Sequence, residues 1–71
     1  MMDKLFDYFK RAADVDADPD FTRFQKDKKL AEIMTEMERE FRIPIFRNLE
    51  WEKNNHKVIR TYREISNMRK L

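Results

Sequence analysis

Four aspartates alternate with other residues between Asp14 and Asp20, and this spacing could supply oxygen ligands to a calcium ion. A calcium-binding loop needs ligands at its first, third and fifth positions, glycine at its sixth and a bidentate glutamate at its twelfth. A loop that starts at Asp14 has Pro19 at the sixth position and Gln25 at the twelfth, and a start two residues later fails at the same two positions. We therefore expect no metal site here, and we interpret the segment as an acidic connector whose Asp18 caps the next helix.

Catalytic chemistry has few candidate residues in this chain. There is one histidine, His56, and no cysteine, and the aliphatic hydroxyls are those of Thr22, Thr35, Thr61 and Ser66. Nucleophilic catalysis needs a nucleophile, a base and a group that orients the base, and no local spacing assembles these three. The absence of glycine also argues against phosphate-cradling loops. We predict that the protein is not an enzyme and uses no cofactor.

The C-terminal part of the chain carries a basic face on its predicted helix. Its cationic side chains fall opposite the apolar stripe of Val58, Tyr62 and Ile65, and only Glu64 interrupts them. The members of this basic face are Lys53, Lys57, Arg60, Arg63 and Lys70. Such a stripe is typical of contact with the phosphate backbone of nucleic acid. The whole chain has a net charge of only +2 and no named nucleic-acid-binding motif, so nucleic-acid binding is the alternative hypothesis.

Three aromatic residues suggest a protein contact surface instead. Phe46, Trp51 and Tyr62 belong to large aromatic types, which contribute strongly to protein interfaces. In a chain of 71 residues with little catalytic potential, they favour a protein–protein interaction or regulatory module that self-associates as a homodimer. The same residues could instead complete the core, and the sequence leaves these two possibilities open.

A long central helix must position these groups. Leu30, Met34, Met37 and Phe41 recur at steps of four, three and four residues, which places them on one face of a helix. Charged residues occupy the opposite face, and neither glycine nor proline interrupts the run. Because a helix with one apolar stripe needs a cover, we expect the two ends of the chain to pack on it.

The sequence predicts an all-α fold with a single domain over residues 1–71. We expect a small antiparallel three-helix bundle with helices at about 3–13, 19–42 and 55–70, and a short helical turn at about 49–53. Pro44 ends the central helix and makes residues 42–46 an extended elbow, in which Ile43, Ile45 and Phe46 are expected to plug the core. Asn48 and Asn55 are the predicted N-caps of the last two helical segments.

Charge is distributed unevenly along the chain. Residues 1–20 hold three basic and six acidic side chains, whereas residues 44–71 hold seven basic and three acidic ones. No segment is apolar over the roughly 18 residues that a membrane span requires, so we expect no membrane association. The absence of cysteine fits a reducing compartment, and the sequence-based expectation is a cytoplasmic protein.

Overall fold

The structure is a computed structural model, and it describes residues 4–69. The chain forms four helices in the order α1 (Lys4–Ala17), α2 (Arg23–Phe41), α3 (Leu49–Asn54) and α4 (His56–Met68). Residues 4–69 contain no β-strand. The fold is therefore an all-α bundle of three main helices, with α3 as the short additional turn, and this prediction is confirmed.

Helix α2 is the centre of the bundle. It packs against both α1 and α4, which also touch each other. Both neighbours run antiparallel to α2. In α1, Tyr8 near the start contacts Glu40 near the end of α2, and Asp16 near the end contacts Lys26 near the start of α2. In α4, Met68 at the end contacts Arg23 at the start of α2. The buried core consists of Tyr8, Ala12, Leu30, Ile33, Met34, Met37 and Ile65. The predicted stripe on α2 is thus buried, with Phe41 partly buried beside it.

Helix α1 is longer than the sequence suggested. The predicted end near residue 13 is wrong, because the helix continues through the aspartate-rich segment to Ala17. Val15 packs against the core, and the backbone carbonyl of Asp16 accepts a hydrogen bond from Lys26 Nζ at 2.7 Å. These contacts with α2 stabilise one more helical turn. The predicted start at Asp3 lies outside the described residues.

Helix α2 also begins later than predicted. Asp18 does not cap it; the N-cap is Thr22, whose hydroxyl accepts from the Gln25 backbone N–H while the Gln25 side chain accepts from the Thr22 N–H. This reciprocal pair is a capping box, which satisfies two backbone donors at once. Asp18 instead accepts a hydrogen bond from the Asp20 N–H and forms a local turn.

The elbow after α2 differs from its prediction. Arg42 ends the helix in the left-handed region, with φ of 54° and ψ of 48°, and the Ile43 N–H returns to the Glu38 carbonyl at 3.1 Å. Ile43 packs against the core as expected. Ile45 and Phe46 do not plug the core, since both are strongly exposed. Ile43 is therefore the last residue of the elbow that packs against the core, and the two apolar residues after Pro44 lie in solvent.

The last two helices meet at Asn55. Asn48 caps α3 as predicted, because its side chain accepts from the Trp51 N–H. Asn55 stands at the N-cap position of α4 but makes no side-chain cap; its amide donates to the Trp51 carbonyl at 2.9 Å instead. Helix α4 ends at Met68, two residues before its predicted end at Lys70, which lies outside the described residues.

Candidate interaction surfaces

The structure brings together the three aromatic residues that the sequence singled out. Phe46, Trp51 and Tyr62 all line one cleft of about 230 Å³, which we call the elbow cleft. Its walls come from the elbow, from α3 and from α4, so three separate segments build one concave surface. The full lining is Ile43, Pro44, Ile45, Phe46, Arg47, Asn48, Trp51, Glu52, Ile59, Tyr62 and Arg63.

The rim of the elbow cleft is unusually apolar and exposed. Ile45 is 96% exposed and Phe46 is 84% exposed. Leu49, at the start of α3, is 67% exposed. Trp51 and Tyr62 are half-buried and form the walls. Single exposed hydrophobic residues are normal on a protein surface, but neighbouring large ones beside a cleft make this surface a candidate for binding.

Backbone features hold the elbow in this conformation. Arg42 adopts a left-handed conformation that costs a non-glycine residue roughly 1–2 kcal/mol. Two residues later, the ring of Pro44 restricts the backbone on both sides of the bend. Asn48 then fixes the start of α3 through its cap. The chain thus tolerates strain at a position that directs Ile45 and Phe46 into solvent.

Tyr62 anchors one wall of the elbow cleft to α2. Its hydroxyl donates to Glu38 Oε2 at 2.5 Å. The pKa of Tyr62 is raised to about 12, most strongly by burial and then by this hydrogen bond and the negative charge of Glu38. Tyr62 is therefore a neutral donor at physiological pH, and the contact fixes the orientation of its ring beside the cleft.

The charged residues around the elbow cleft largely compensate one another. Glu52 accepts a hydrogen bond from Arg63 at 2.7 Å and lies 3.8 Å from the Arg47 guanidinium. The sequence assigned Arg63 to the basic face, but its partner is a carboxylate on α3. Arg63 is therefore an ion-paired residue, and Arg47, Arg63 and Glu52 together leave the cleft with a net charge of +1.

Three further members of the predicted basic face, Lys53, Lys57 and Arg60, lie along a second surface, between α1 and α4. The fifth member, Lys70, lies outside the described residues. Two adjoining cavities share Leu5 and Lys57 and together form what we call the basic groove. Arg60 lines it and lies 3.6 Å from Glu64, and Lys53 extends it toward α3. The full lining is Leu5, Phe6, Lys53, Asn54, Asn55, His56, Lys57, Val58, Arg60, Thr61 and Glu64.

Sequence reasoning missed the contribution of α1 to the basic groove. Phe6 lines it and is 62% exposed. A helical wheel of α1 alone places Phe6 beside Leu5 and cannot show that α4 supplies cations across the groove. The two surfaces share no lining residue.

Among the described residues, no metal-binding cluster adds to these surfaces. Within residues 4–69, no group of three or more histidine, cysteine or acidic side chains converges in a way that could hold a metal ion. His56 is exposed at the start of α4 and lines the basic groove. None of the helices described has the length and apolar character needed to cross a membrane.

Comparison with protein-family models, with curated proteins and with solved structures finds no match to this chain. Function is therefore inferred from the chemistry of the elbow cleft and of the basic groove.

Proposed function

We propose that this protein is a non-catalytic interaction module that self-associates as a homodimer through the elbow cleft. The observation that carries the proposal is the exposure of Ile45 and Phe46, at 96% and 84%, on the rim of a cleft that Trp51 and Tyr62 also line. Full burial of one such side chain is favourable by about 1.5–3 kcal/mol. A partner that covers both therefore gains substantial free energy.

A second copy of the chain is the partner that the shape of this surface favours. The elbow presents protruding apolar side chains and an apolar concavity side by side. A two-fold axis pairs the same patch on both subunits, so Phe46 of each copy can enter the cleft of the other. The internal pairing of Glu52 with Arg63 and Arg47 limits the repulsion between identical surfaces.

The small core supports the same proposal. Within the described residues, seven apolar side chains are buried, and of the larger ones Leu30, Met37 and Ile65 are fully buried. Chains of this size without disulfides or metals often rely on oligomerisation for part of their stability. Burial of the elbow in a dimer adds apolar contacts that one copy cannot supply.

The test is the solution mass of the protein from micromolar to millimolar concentration, by sedimentation equilibrium or light scattering. We expect the wild-type mass to approach twice the 8.9 kDa of one chain. The Phe46→Asp variant should remain at the mass of one chain, because the dimer would bury an unpaired charge. Phe24→Asp is the matched control, since Phe24 is 76% exposed and lies outside the elbow cleft.

A wild-type mass of one chain at every concentration contradicts the proposal. Equal loss of the dimer in the Phe46→Asp and Phe24→Asp variants also contradicts it, because the contact would then lie elsewhere. Far-ultraviolet circular dichroism of both variants verifies that they keep their helices.

A further inference from the structure

The basic groove carries more positive than negative charge. Lys53, Lys57 and Arg60 line it, against one carboxylate, Glu64. Lys53 and Lys57 form no ion pair with any acidic side chain among residues 4–69. Arg60 pairs with Glu64 at 3.6 Å and keeps 72% of its side chain exposed. The groove therefore offers cations to an anionic ligand.

An aromatic ring lies beside these cations. Phe6 projects from α1 into the same groove as Lys57 and Arg60 and is 62% exposed. Packing against α2 therefore does not account for most of its surface. An exposed ring next to free cations combines the two contacts that single-stranded nucleic acid requires, a platform for stacking and charge for the backbone.

The other lining residues distinguish between anionic ligands. An acidic amphipathic helix would need a continuous apolar floor for side chains spaced along one face. The apolar lining here is limited to Leu5, Phe6 and Val58, and the rest is polar or charged. Three apolar residues on two helices do not form the row of apolar contacts that a helix face needs, whereas one exposed ring among cations suits a phosphate backbone with unstacked bases.

We propose that the basic groove binds single-stranded nucleic acid, with phosphates on Lys53, Lys57 and Arg60 and a base stacked on Phe6. This site is independent of self-association, because the basic groove and the elbow cleft share no lining residue. A duplex keeps its bases paired and stacked, so it can offer phosphates to the cations but no base to Phe6. The site therefore prefers a single strand to a duplex of equal length.

The experiment is a fluorescence-anisotropy titration of a labelled pyrimidine oligonucleotide of about 12 nucleotides, within the ~4–16 nucleotides typical of such grooves. It is run at several salt concentrations, with a duplex of equal length in parallel. Three phosphate contacts predict a slope of about −2 for the logarithm of affinity against the logarithm of salt concentration. The Lys57→Gln variant should reduce that slope by about 0.7, and Phe6→Ala should weaken binding roughly 5- to 100-fold.

Two matched variants serve as controls. Lys28→Gln removes an exposed lysine of α2, and Phe24→Ala removes an exposed ring; neither residue lines the basic groove. Both should bind like the wild type. A polyglutamate peptide of equal charge tests whether any flexible polyanion suffices, and circular dichroism verifies that each variant is folded.

Several results overturn the proposal. These are the absence of binding at low salt, equal affinity for polyglutamate, tighter binding of the duplex, or losses in the control variants as large as those in Lys57→Gln and Phe6→Ala. A salt-dependent preference for the single strand that is lost selectively in those two variants supports it. Because the Phe46→Asp variant keeps the basic groove, repeating the titration with it separates this site from self-association.

Discussion

The apolar stripes of the helices and the apolar side chains of the elbow have opposite surroundings. Leu30 and Ile65 are fully buried, whereas Ile45 is 96% exposed. On the helices, apolar residues recur at the helical period and so face one another across α1, α2 and α4. No element among the described residues covers the elbow in the same way. The helical stripes are explained by the folding of one chain, whereas the exposed elbow is the surface that we propose a second copy covers.

The largest expected effect is a difference in stability between these two regions. Leu30→Ala should lower the free energy of unfolding by about 2–5 kcal/mol, because it leaves a cavity at a fully buried site. Ile45→Ala should change it by less than about 0.5 kcal/mol in the monomer. Urea denaturation at low protein concentration, where the monomer prevails, measures both values.

Ile65→Val keeps this comparison measurable if Leu30→Ala abolishes folding. It removes one methylene from a fully buried side chain and should cost about 0.5–1.5 kcal/mol. If Ile45→Ala destabilises the monomer as much as Ile65→Val, the elbow belongs to the core of the single chain, and the contrast between the two regions fails.

An intermediate effect is expected at Arg42, where the helix passes into the elbow. Arg42→Gly should raise the free energy of unfolding by about 0.5–1 kcal/mol, because glycine adopts the left-handed conformation without steric cost but loses more backbone entropy on folding. Arg39→Gly, three residues earlier in the helix, should lower it by up to about 1 kcal/mol. Thermal or urea denaturation of the two variants provides a matched pair with opposite signs.

A loss of stability in Arg42→Gly would mean that the arginine side chain contributes contacts that outweigh the backbone strain. Since the same substitution loosens the elbow, it should also weaken self-association while it stabilises the fold.

The smallest expected effect concerns the hydrogen bond between Tyr62 and Glu38. The pKa of Tyr62 is raised from 10.0 to about 12 in the folded state, so the folded protein holds this proton more tightly than the unfolded chain does. The contribution to stability is complete below pH 10 and is lost as the pH rises through 12. At neutral pH, Tyr62→Phe should cost no more than about 1 kcal/mol, since the contact is partly exposed.

The loss of this contribution at high pH is tested by measuring the free energy of unfolding of the wild type and of Tyr62→Phe at several alkaline pH values. The difference between them should shrink between pH 10 and pH 12. A difference that stays constant over this range would contradict the account, because it would show that folding does not raise the pKa of the Tyr62 hydroxyl.

The helices were largely predictable because apolar periodicity is a local signal. The stripe of Leu30, Met34 and Met37 is buried as its spacing predicts, and Asn48 caps α3 as its residue type predicts. The C-terminal end of α1 and the start of α2 were not predictable to the residue. The extension of α1 depends on the contact between Asp16 and Lys26 across two helices, which no local pattern reveals.

The candidate sites were predictable in residue type but not in arrangement. The sequence indicated Phe46, Trp51 and Tyr62, and the structure places them in one cleft. It also assigned Arg63 to the basic face, but the break between α3 and α4 brings Arg63 to Glu52. Phe6 was not identified, because its position beside the α4 cations depends on the packing of α1 against α4.

Trp51 fluorescence on dilution is the most direct test of the claim that two copies meet at the elbow cleft. Trp51 is the one tryptophan of the chain and lines that cleft, so its emission reports on this surface alone. We predict that wild-type emission shifts to longer wavelength as dilution dissociates the dimer, while Phe46→Asp shows the long-wavelength emission at every concentration. Wild-type emission that does not change with concentration, while the solution mass does, would contradict the account by placing the dimer contact away from the elbow.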